Sequence, residues 1–573
     1  MKTLLKYLKP FYSKMTLGFG IKVLGTVIEL FIPYILSHIL ANVKNFTMNE
    51  IVLWGSLMIV CALFSCVFNI IANRMAAKVS KNFAESMRKD LFIKTLRLSA
   101  AQTDKFTIPS LESRITTDTY HVHGFVNMMQ RMGVRAPILL AGGILITMIM
   151  DFRLSLVMTA ILPLIFATVY FVRKKGVPLY ENVQKAVDSM IRVVREDSQG
   201  IRVIKALSKT DYEHRRYDNV NRSLSRSEAK AGIIMGSVHP LMTIFMNGGS
   251  VAVISLGAIF AFKGKSEPET IIAFMQYFTQ ITMAMMAVTR MFVMYTKCSA
   301  SARRISEVLN APEEIKTQNE KDFPAIKTDA HIVFDKVCFS YAGKKNNIDN
   351  ISFSLKKGES LGVIGATGSG KSTLIKLLLR FYDVNSGNIY INGKDIRTID
   401  KKDFYSMFGS AMQKDFLYAG TIEENIDFGR KIPFDKIKTA AKIAQADDFI
   451  EGFADGYGHI LSSHGTNISG GQKQRLLISR AIAGNPHILI LDDSSSALDY
   501  KTDAALRGAL KETLLGTTLI SVAQRVSSVK DCTLIIVLED GCVIGMGTHE
   551  FLMENCPEYK EISDSQMGGA FVE

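Results

Sequence analysis

The residues with the clearest chemical capability form a glycine-rich loop at positions 365–373. The loop reads G-A-T-G-S-G-K-S-T, which fits the phosphate-binding pattern G-x-x-x-x-G-K-S. Glycines let backbone N–H groups approach phosphate oxygens, Lys371 can neutralise the β- and γ-phosphates, and the Ser372 hydroxyl can bind Mg²⁺. We therefore predict a nucleoside triphosphate site with Mg²⁺. The predicted nucleotide contacts are Gly365, Ala366, Thr367, Gly368, Ser369, Gly370, Lys371, Ser372 and Thr373.

Two apolar segments are expected to position this loop. The run at 360–364 is typical of a buried strand, and the run at 373–379 is typical of a helix. The N-terminus of that helix adds the positive end of its dipole to the phosphate site. A glycine turn without nucleotide is the alternative, and the flanking strand and helix argue against it.

The first 300 residues of the 573-residue chain have a different composition from the rest. The whole chain is 48% hydrophobic and carries a formal net charge of +14. Because a membrane core needs about 20 apolar residues per helix, we predict six spans, near 15–40, 51–72, 134–150, 155–173, 233–262 and 270–297. Asp151-Phe-Arg153 must then form a tight turn between the third and fourth spans. The remainder has the composition of a globular domain.

Basic residues are concentrated in two long loops, at 74–135 and 173–230. The positive-inside rule places these loops, both termini and the C-terminal domain in the cytoplasm. The charge is thereby explained by a multi-pass protein of the plasma membrane, and nucleic acid is not expected as a partner. The segment Met1–Lys14 mixes apolar residues with lysines, which predicts a short helix on the inner membrane face. The helical patterning of the loops predicts that the membrane helices continue into the cytosol.

Strands and helices alternate after a charged linker around Glu313–Lys327, as in an α/β P-loop nucleotide-binding domain. The predicted division is a membrane domain at 1–310, a linker at 311–330 and a nucleotide-binding domain at 331–573. The predicted fold is thus an α-helical membrane domain of six transmembrane helices with long cytosolic extensions, followed by an α/β domain. This order resembles one half of an ATP-binding cassette (ABC) exporter, over essentially the whole chain.

The resemblance implies roles for residues outside the loop. Tyr341 matches the aromatic that stacks on adenine, although a plain strand aromatic is the alternative. Gln413 matches the glutamine that reaches Mg²⁺ and the attacking water, and Asp492 matches the carboxylate that holds Mg²⁺. The signature motif at 468–472 would bind the γ-phosphate of ATP held by another subunit, through Ser469, Gly470, Gly471 and Gln472. Ser496-Ala-Leu-Asp499 matches the loop that crosses the dimer interface.

Two catalytic positions depart from the family pattern. Asp493 stands where the family has glutamate, the general base for the attacking water, and its side chain is one methylene shorter. Gln524 stands where the family has a histidine that contacts the γ-phosphate, and glutamine cannot become cationic. With Gln413, these are the predicted catalytic residues. The pattern resembles the degenerate-site subunit of heterodimeric bacterial multidrug exporters, and a homodimer with slow hydrolysis is the alternative.

The expected activity is ATP-driven export of an amphipathic or hydrophobic substrate, such as a drug-like molecule, a lipid or a peptide. A cassette protein that regulates a channel remains an alternative. Glu29 is expected to face the substrate cavity and to hold cations, with Lys22 as its alternative partner. Further cavity candidates are Asn247, Gln276, Gln280 and Arg290. The segments 106–114, followed by Asp118, and 196–205 resemble the two segments that couple to the cassettes.

Overall fold

The computed structural model describes residues 2–263, 267–312, 317–341, 343, 345–413, 415–494 and 497–567. The chain divides into two compact units. The first comprises residues 1–96 and 107–311, and the second comprises 97–106 and 312–573. The predicted division at 310 is therefore corrected at one place: a stretch inside the predicted membrane domain belongs to the second unit.

The first unit, the membrane unit, is built from long helices. Its helices are α1 (Lys2–Leu8), α2 (Tyr12–Asn42), α3 (Met48–Leu96), α5 (Ile108–Ser113), α6 (Thr119–Met150), α7 (Phe152–Ala206), α8 (Thr210–Gly236), α9 (Val238–Phe262) and α10 (Thr270–Leu309). Helix α4 (Ala100–Phe106) lies between α3 and α5 in sequence and belongs to the second unit. Since about 20 residues cross a bilayer, α3, α7 and α10 extend well beyond it, as predicted.

Five helical stretches among the described residues are long and apolar enough to cross a membrane, and Phe152–Thr168 is a shorter apolar stretch at the fourth predicted span. The predicted turn between the third and fourth spans is confirmed. Helix α6 ends at Met150 and α7 begins at Phe152, so Asp151 alone joins them. The Asp151 carboxylate accepts the backbone N–H groups of Arg153 and Leu154 at 2.8 and 3.2 Å, which caps α7.

The N-terminal helix is shorter than the predicted one and packs against α3. Leu4 is buried, and the Tyr7 hydroxyl donates to the Asp90 carboxylate at 2.9 Å. A single turn of 3₁₀-helix, Lys9–Phe11, joins α1 to α2.

The second unit, the cassette unit, is an α/β domain with three sheets. Its strands are β1 (Ile332–Phe339), β2 (Ile348–Leu355), β3 (Ser360–Gly365), β4 (Ser386–Ile391), β5 (Lys394–Asp395), β6 (Phe408–Ala411), β7 (Gly420–Thr421), β8 (Ile460–Leu461), β9 (Ile488–Asp492), β10 (Thr518–Val522), β11 (Leu534–Glu539) and β12 (Cys542–Gly547). The sheet orders are β2-β1-β4-β5, β12-β11-β3-β10-β9-β6 and β7-β8.

Nine helices of the described residues complete the cassette unit C-terminal to the linker. They are α11 (Lys371–Leu378), α12 (Lys401–Ser406), α13 (Ile422–Asp427), α14 (Phe434–Ile443), α15 (Asp447–Glu451), α16 (Gly470–Ala483), α17 (Tyr500–Thr513), α18 (His549–Asn555) and α19 (Pro557–Met567).

Parallel pairing in the six-stranded sheet decides where the site lies. Strand β10 pairs in parallel with β3 on one side and with β9 on the other. Because parallel strands end at the same edge of a sheet, the chain leaving each of the three strands reaches that edge. Strand β9 is buried along its whole length, as its apolar sequence predicts.

The predicted linker is split by the structure. Residues 313–316 lie outside the described residues, and the chain from 317 packs on the cassette unit. Gln318 N–H donates to the Arg397 carbonyl at 2.8 Å, and Ile326 N–H donates to the Gly393 carbonyl at 2.8 Å. The Arg397 guanidinium lies 3.9 Å from the Phe323 ring centre. The described part of the linker is therefore an ordered edge of this unit.

Candidate functional site

The glycine-rich loop joins β3 to α11, as predicted from its sequence. Two glycines are required by the geometry. A Cβ at Gly365 would lie 2.1 Å from the Leu538 carbonyl oxygen, and Gly370 precedes α11 with φ of +104°. The buried Ser369 hydroxyl has no hydrogen-bond partner among the described residues. A glycine-rich loop with a spare hydroxyl fits a phosphate chain.

Lys371 and Asp492 supply opposite charges beside this loop. The Lys371 ammonium donates to the Gly365 and Ala366 carbonyls at 2.8 Å each. Burial lowers the pKa of Lys371, while Asp493 and Asp492 act in the opposite direction. Burial raises the pKa of Asp492, opposed by a hydrogen bond from Ser372. A buried carboxylate against a hydroxyl is a donor set that fits Mg²⁺.

A cavity of about 270 Å³ opens beside the loop. Its lining brings together the end of β9, the end of β10, the loop and the glutamine after β6, as the parallel sheet requires. The lining residues predicted from sequence are Thr367, Gly368, Gly370, Lys371, Ser372, Thr373, Gln413, Asp492, Asp493 and Gln524. The predicted residues Gly365, Ala366 and Ser369 form the turn beneath them.

Sequence reasoning missed the part of the lining that comes from Asn347 and the Asp540–Gly541 turn. Gly541 N–H donates to the Ser369 carbonyl at 3.1 Å, and Asp349 N–H donates to the Gly541 carbonyl at 2.9 Å. An Asp-Gly pair between two strands is a hairpin signal, so the turn was readable from the sequence. Its place beside the loop depends on the pairing of β11 with β3.

Asp493 and Gln524, the two residues that depart from the family pattern, are hydrogen-bonded to each other through one carboxylate oxygen of Asp493. Asp493 Oδ2 accepts the Gln413 amide at 3.0 Å and the Gln524 amide at 3.2 Å. Asp493 has φ of +53°, and its N–H donates to the Val522 carbonyl at 2.8 Å, which holds it at the end of β9. Gln524 is held in turn, because its carbonyl accepts the Gln566 amide at 2.8 Å. The three predicted catalytic residues thus form one hydrogen-bonded group.

The signature residues stand apart from this cavity. Ser469 caps α16 in a reciprocal arrangement: Gln472 N–H donates to the Ser469 hydroxyl at 3.2 Å, and Ser469 N–H donates to the Gln472 side chain at 2.9 Å. A Cβ added at Gly470 would meet only Ala497 Cβ, at 4.0 Å, whereas one at Gly471 would meet the Ala497 carbonyl at 3.1 Å. Among the described residues that line the cavity, none belongs to the signature.

The segment after Asp493 is partly described. Ser496, the first residue of the predicted interface loop, lies outside the described residues. Asp499, the last, caps α17 by accepting Thr502 N–H at 2.8 Å. That hydrogen bond is the main reason why the pKa of Asp499 lies below its ordinary value.

Comparisons with known proteins agree with this arrangement. A family profile described as ABC transporter transmembrane region matches residues 15–285, and one described as ABC transporter matches residues 348–496. The Bacillus subtilis ABC transporter ATP-binding protein YfiB is 32% identical over 571 residues, which cover 99% of each chain. The chain belongs to the ABC transporter family. A Mycobacterium tuberculosis ABC transporter ATP-binding protein is 29% identical over 573 residues, covering 99% of this chain and 98% of its own.

Among solved structures, a bacterial Atm1-family ABC exporter with ATP bound has a similar fold. Its TM-score is 0.81 at 21% identity, and the match covers 98% of this chain and 99% of that one. This ABC transporter therefore has the fold of that exporter. It spans the plasma membrane several times and carries a cytoplasmic cassette domain. It couples ATP hydrolysis to transport.

The adenine-stacking candidate of the transporter, Tyr341, is half exposed and lies next to the loop. Its hydroxyl donates to the Thr373 hydroxyl at 3.4 Å. Its ring meets the Tyr382 ring edge-on, with 5.1 Å between ring centres. The Tyr382 hydroxyl donates to the carboxylate of Asp104 on α4, and burial raises the pKa of Tyr382. A chain of contacts therefore runs from Tyr341 to a helix that lies between two membrane helices in sequence.

The first predicted coupling segment, 106–114, is divided between the two units. Helix α4 and the residues before it, 97–106, belong to the cassette unit, whereas residues 107–114 of the predicted segment belong to the membrane unit. Arg114 donates to the Arg304 carbonyl at 2.8 Å, and the buried Asp118 accepts the Ser301 hydroxyl at 2.8 Å. Those side chains bind within the membrane unit, so they hold α5 and α6 to α10. The second predicted segment, 196–205, lies in α7.

Tyr382→Phe should loosen α4 on the cassette unit. The variant keeps the ring contact with Tyr341 and removes one hydrogen bond to a carboxylate. Such a bond corresponds to about a tenfold change in local opening. We expect amide hydrogens of residues 100–106 to exchange about tenfold faster in a hydrogen–deuterium exchange experiment. Tyr500→Phe, at an exposed tyrosine on α17, is the control and should leave this exchange unchanged. Unchanged exchange in Tyr382→Phe would show that the hydrogen bond does not retain α4.

Lys22 and Glu29 each bind side chains of another helix. The Lys22 ammonium donates to the side chains of Asn69 at 2.6 Å and Asn73 at 3.1 Å. Glu29 accepts two hydrogen bonds from Arg135, at 2.6 and 3.3 Å. The alternative Lys22–Glu29 pair is therefore not formed, because helices α3 and α6 bring closer partners to each. A carboxylate already neutralised by arginine is also a poor site for a cationic substrate.

Proposed function

We propose that this chain is one half of a heterodimeric ABC exporter and carries the degenerate ATP site. The observation that carries the proposal is the group formed by Gln413, Asp493 and Gln524. Hydrolysis needs a base within hydrogen-bond reach of the attacking water and a group that stabilises charge on the γ-phosphate. The family supplies these functions with glutamate and histidine, and this chain has neither residue at the two positions.

The geometry around Asp493 supports a weak base. Its side chain is one methylene shorter than glutamate, and a misplacement of about 1 Å costs on the order of 100-fold. One of its two oxygens already accepts two amide hydrogen bonds. One of these two donors, Gln524, stands at the position where the family has histidine. The departures from the family pattern at 493 and 524 therefore both involve Asp493 Oδ2.

Nucleotide binding does not depend on these two residues. The loop glycines, Lys371 and the Ser372–Asp492 pair are all in place, and they would hold the phosphates and Mg²⁺. Bound Mg²⁺ would neutralise phosphate charge. We expect ATP to remain bound at this site through many cycles, with Tyr341 against the adenine.

The signature supports a different role for this chain at the second site. Ser469 caps α16 and Gly470 opens it, and neither residue lines this chain's own cavity. They would close over ATP bound to the P-loop of the partner subunit, whose glutamate and histidine perform hydrolysis. The substrate class that fits the apolar spans is amphipathic or hydrophobic, including drug-like molecules.

The test is expression of the chain with and without a partner. We expect the purified single chain to show little ATP-driven transport in sealed vesicles. At least a tenfold increase should appear when a half-transporter with glutamate after its Mg²⁺-binding aspartate co-assembles, since an appropriately placed base is worth at least that much. Identification of a co-purifying second cassette chain by mass would name the partner. Robust transport by the single chain would favour the homodimer and contradict the proposal.

A further inference from the structure

A group of cations lies among the membrane helices α2, α3 and α6 without matching anions. Lys22 is 3% exposed, and its ammonium is held by the amide oxygens of Asn69 and Asn73. Arg131 Nε donates to the same Asn73 oxygen, at 3.3 Å. Two positively charged side chains therefore share one neutral oxygen.

Glu29, seven residues after Lys22 on α2, does not neutralise this pair. Glu29 is engaged by Arg135 through two hydrogen bonds, the geometry in which guanidinium and carboxylate bind most strongly. Among the described residues, no acidic side chain forms an ion pair with Lys22 or Arg131. One excess positive charge thus remains on each of these two residues.

A further cation is placed at the same level on α10. Arg290 precedes Met291, whose methyl group lies 3.3 Å from the position that a Cβ of Gly133 would occupy. Gly133 lies on α6 between Arg131 and Arg135. Arg290 is exposed, and no ion pair of its guanidinium occurs in the described parts of the chain. Near Gly133, positive charge on Arg131 and Arg290 therefore stands beside the Arg135–Glu29 pair.

Lys22 and Arg290 lie within predicted membrane spans, and Arg131 lies three residues before one. Charged groups in membrane spans are costly, and an arrangement that leaves them unneutralised indicates a ligand. Lys22 has three donors and uses two, and Arg131 uses only its Nε, so donors remain on both residues. An anion would satisfy them and reduce the mutual repulsion of the cations. The amide oxygens of Asn69 and Asn73 hold Lys22 in place without cancelling its charge.

We propose that Lys22, Arg131 and Arg290 bind the anionic headgroup, a phosphate or carboxylate, of an amphipathic substrate. This inference rests on the proposed export of amphipathic molecules. The expected substrate is an anion, whereas the sequence predicted that Glu29 holds a cation. Glu29 has a positioning role, because it holds Arg135 beside the site without contacting the substrate.

The site can be tested by binding to the full-length protein in nanodiscs, without nucleotide. The probes are dansyl-labelled undecanoate and a dansyl-labelled undecyl trimethylammonium, which share an apolar body and differ in the sign of the headgroup. We expect the anionic probe to bind more tightly than the cationic one. Arg131→Gln and Arg290→Gln should each weaken anionic binding about tenfold, the effect of one charge-assisted hydrogen bond.

Three comparisons make the result specific. Arg131→Lys keeps the charge and should stay within about threefold of the native protein. Arg153→Gln removes an exposed charge at the α6–α7 turn and should have no effect. Nanodiscs of phosphatidylglycerol and of phosphatidylcholine separate the two sources of the headgroup. Competition by phosphatidylglycerol supports a lipid ligand, and its absence supports a soluble amphipathic anion.

Two outcomes would overturn the site: equal binding of both probes, or unchanged anionic binding in both glutamine variants. If Arg131→Gln does not fold, Arg290→Gln decides, since its side chain is exposed. Steady-state ATP turnover of the same samples is measured separately, so a failure of the proposed transporter asymmetry leaves the binding result intact. If anions bind but do not stimulate ATP turnover, the binding site stands and its role in export is contradicted.

Discussion

In the assembled transporter, Gly470→Asp is expected to lower steady-state ATP turnover by about 100-fold or more. The new carboxylate would stand where backbone donors of α16 face the γ-phosphate held by the partner subunit. Loss of one such donor typically costs about 100-fold or more, and the added negative charge repels phosphate. The chain itself tolerates the change. A Cβ at this position meets only Ala497 Cβ, at 4.0 Å, and an acidic residue is favourable in the first turn of a helix.

Asp493→Asn should cost far less, less than about threefold, because its own site is proposed to contribute little hydrolysis. Substitution of the partner subunit's catalytic glutamate should resemble Gly470→Asp, since both changes act on the competent site. Gly508→Asp, at an open position on α17, is the matched control for an added carboxylate. Equal losses from Asp493→Asn and from the partner's substitution would mean that both sites hydrolyse ATP, and the asymmetric mechanism would be wrong.

The double substitution Asp493→Glu with Gln524→His should create hydrolysis at this chain's own site. It is best measured in a transporter whose partner carries glutamine in place of its catalytic glutamate, where the background is low. Glutamate restores the missing methylene, and histidine both removes the amide that occupies Asp493 Oδ2 and can carry positive charge. We expect ATP turnover at least about tenfold above the residual rate, in line with what a correctly placed base contributes.

Each single substitution should recover less than the double one. Asp493→Glu alone leaves the Gln524 amide in place, and Gln524→His alone leaves the base short. Gln413 is unchanged in all three variants, and nucleotide affinity should also be unchanged because Lys371 and Ser372 are intact. If the double variant has no more turnover than its background, the weakness of this site has a cause other than these two residues.

The sequence alone determined the features that depend on neighbouring residues. The P-loop follows from its own glycines and from the strand and helix on either side, because phosphate binding uses local backbone geometry. The membrane spans follow from apolar length, since a bilayer imposes a fixed thickness. The substitutions at 493 and 524 were readable because the family pattern assigns functions to single positions.

Only the tertiary structure decided which polar side chains meet. Lys22 and Glu29 are seven residues apart, about 10.5 Å along a helix, too far for direct contact, so each takes a partner from another helix. The partners of Glu29 and Tyr382 lie 106 and 278 positions away. The Gln524–Asp493 contact exists because β10 lies beside β9 in a parallel sheet. Helix packing and strand order bring these residues together, and no local pattern of residues specifies either.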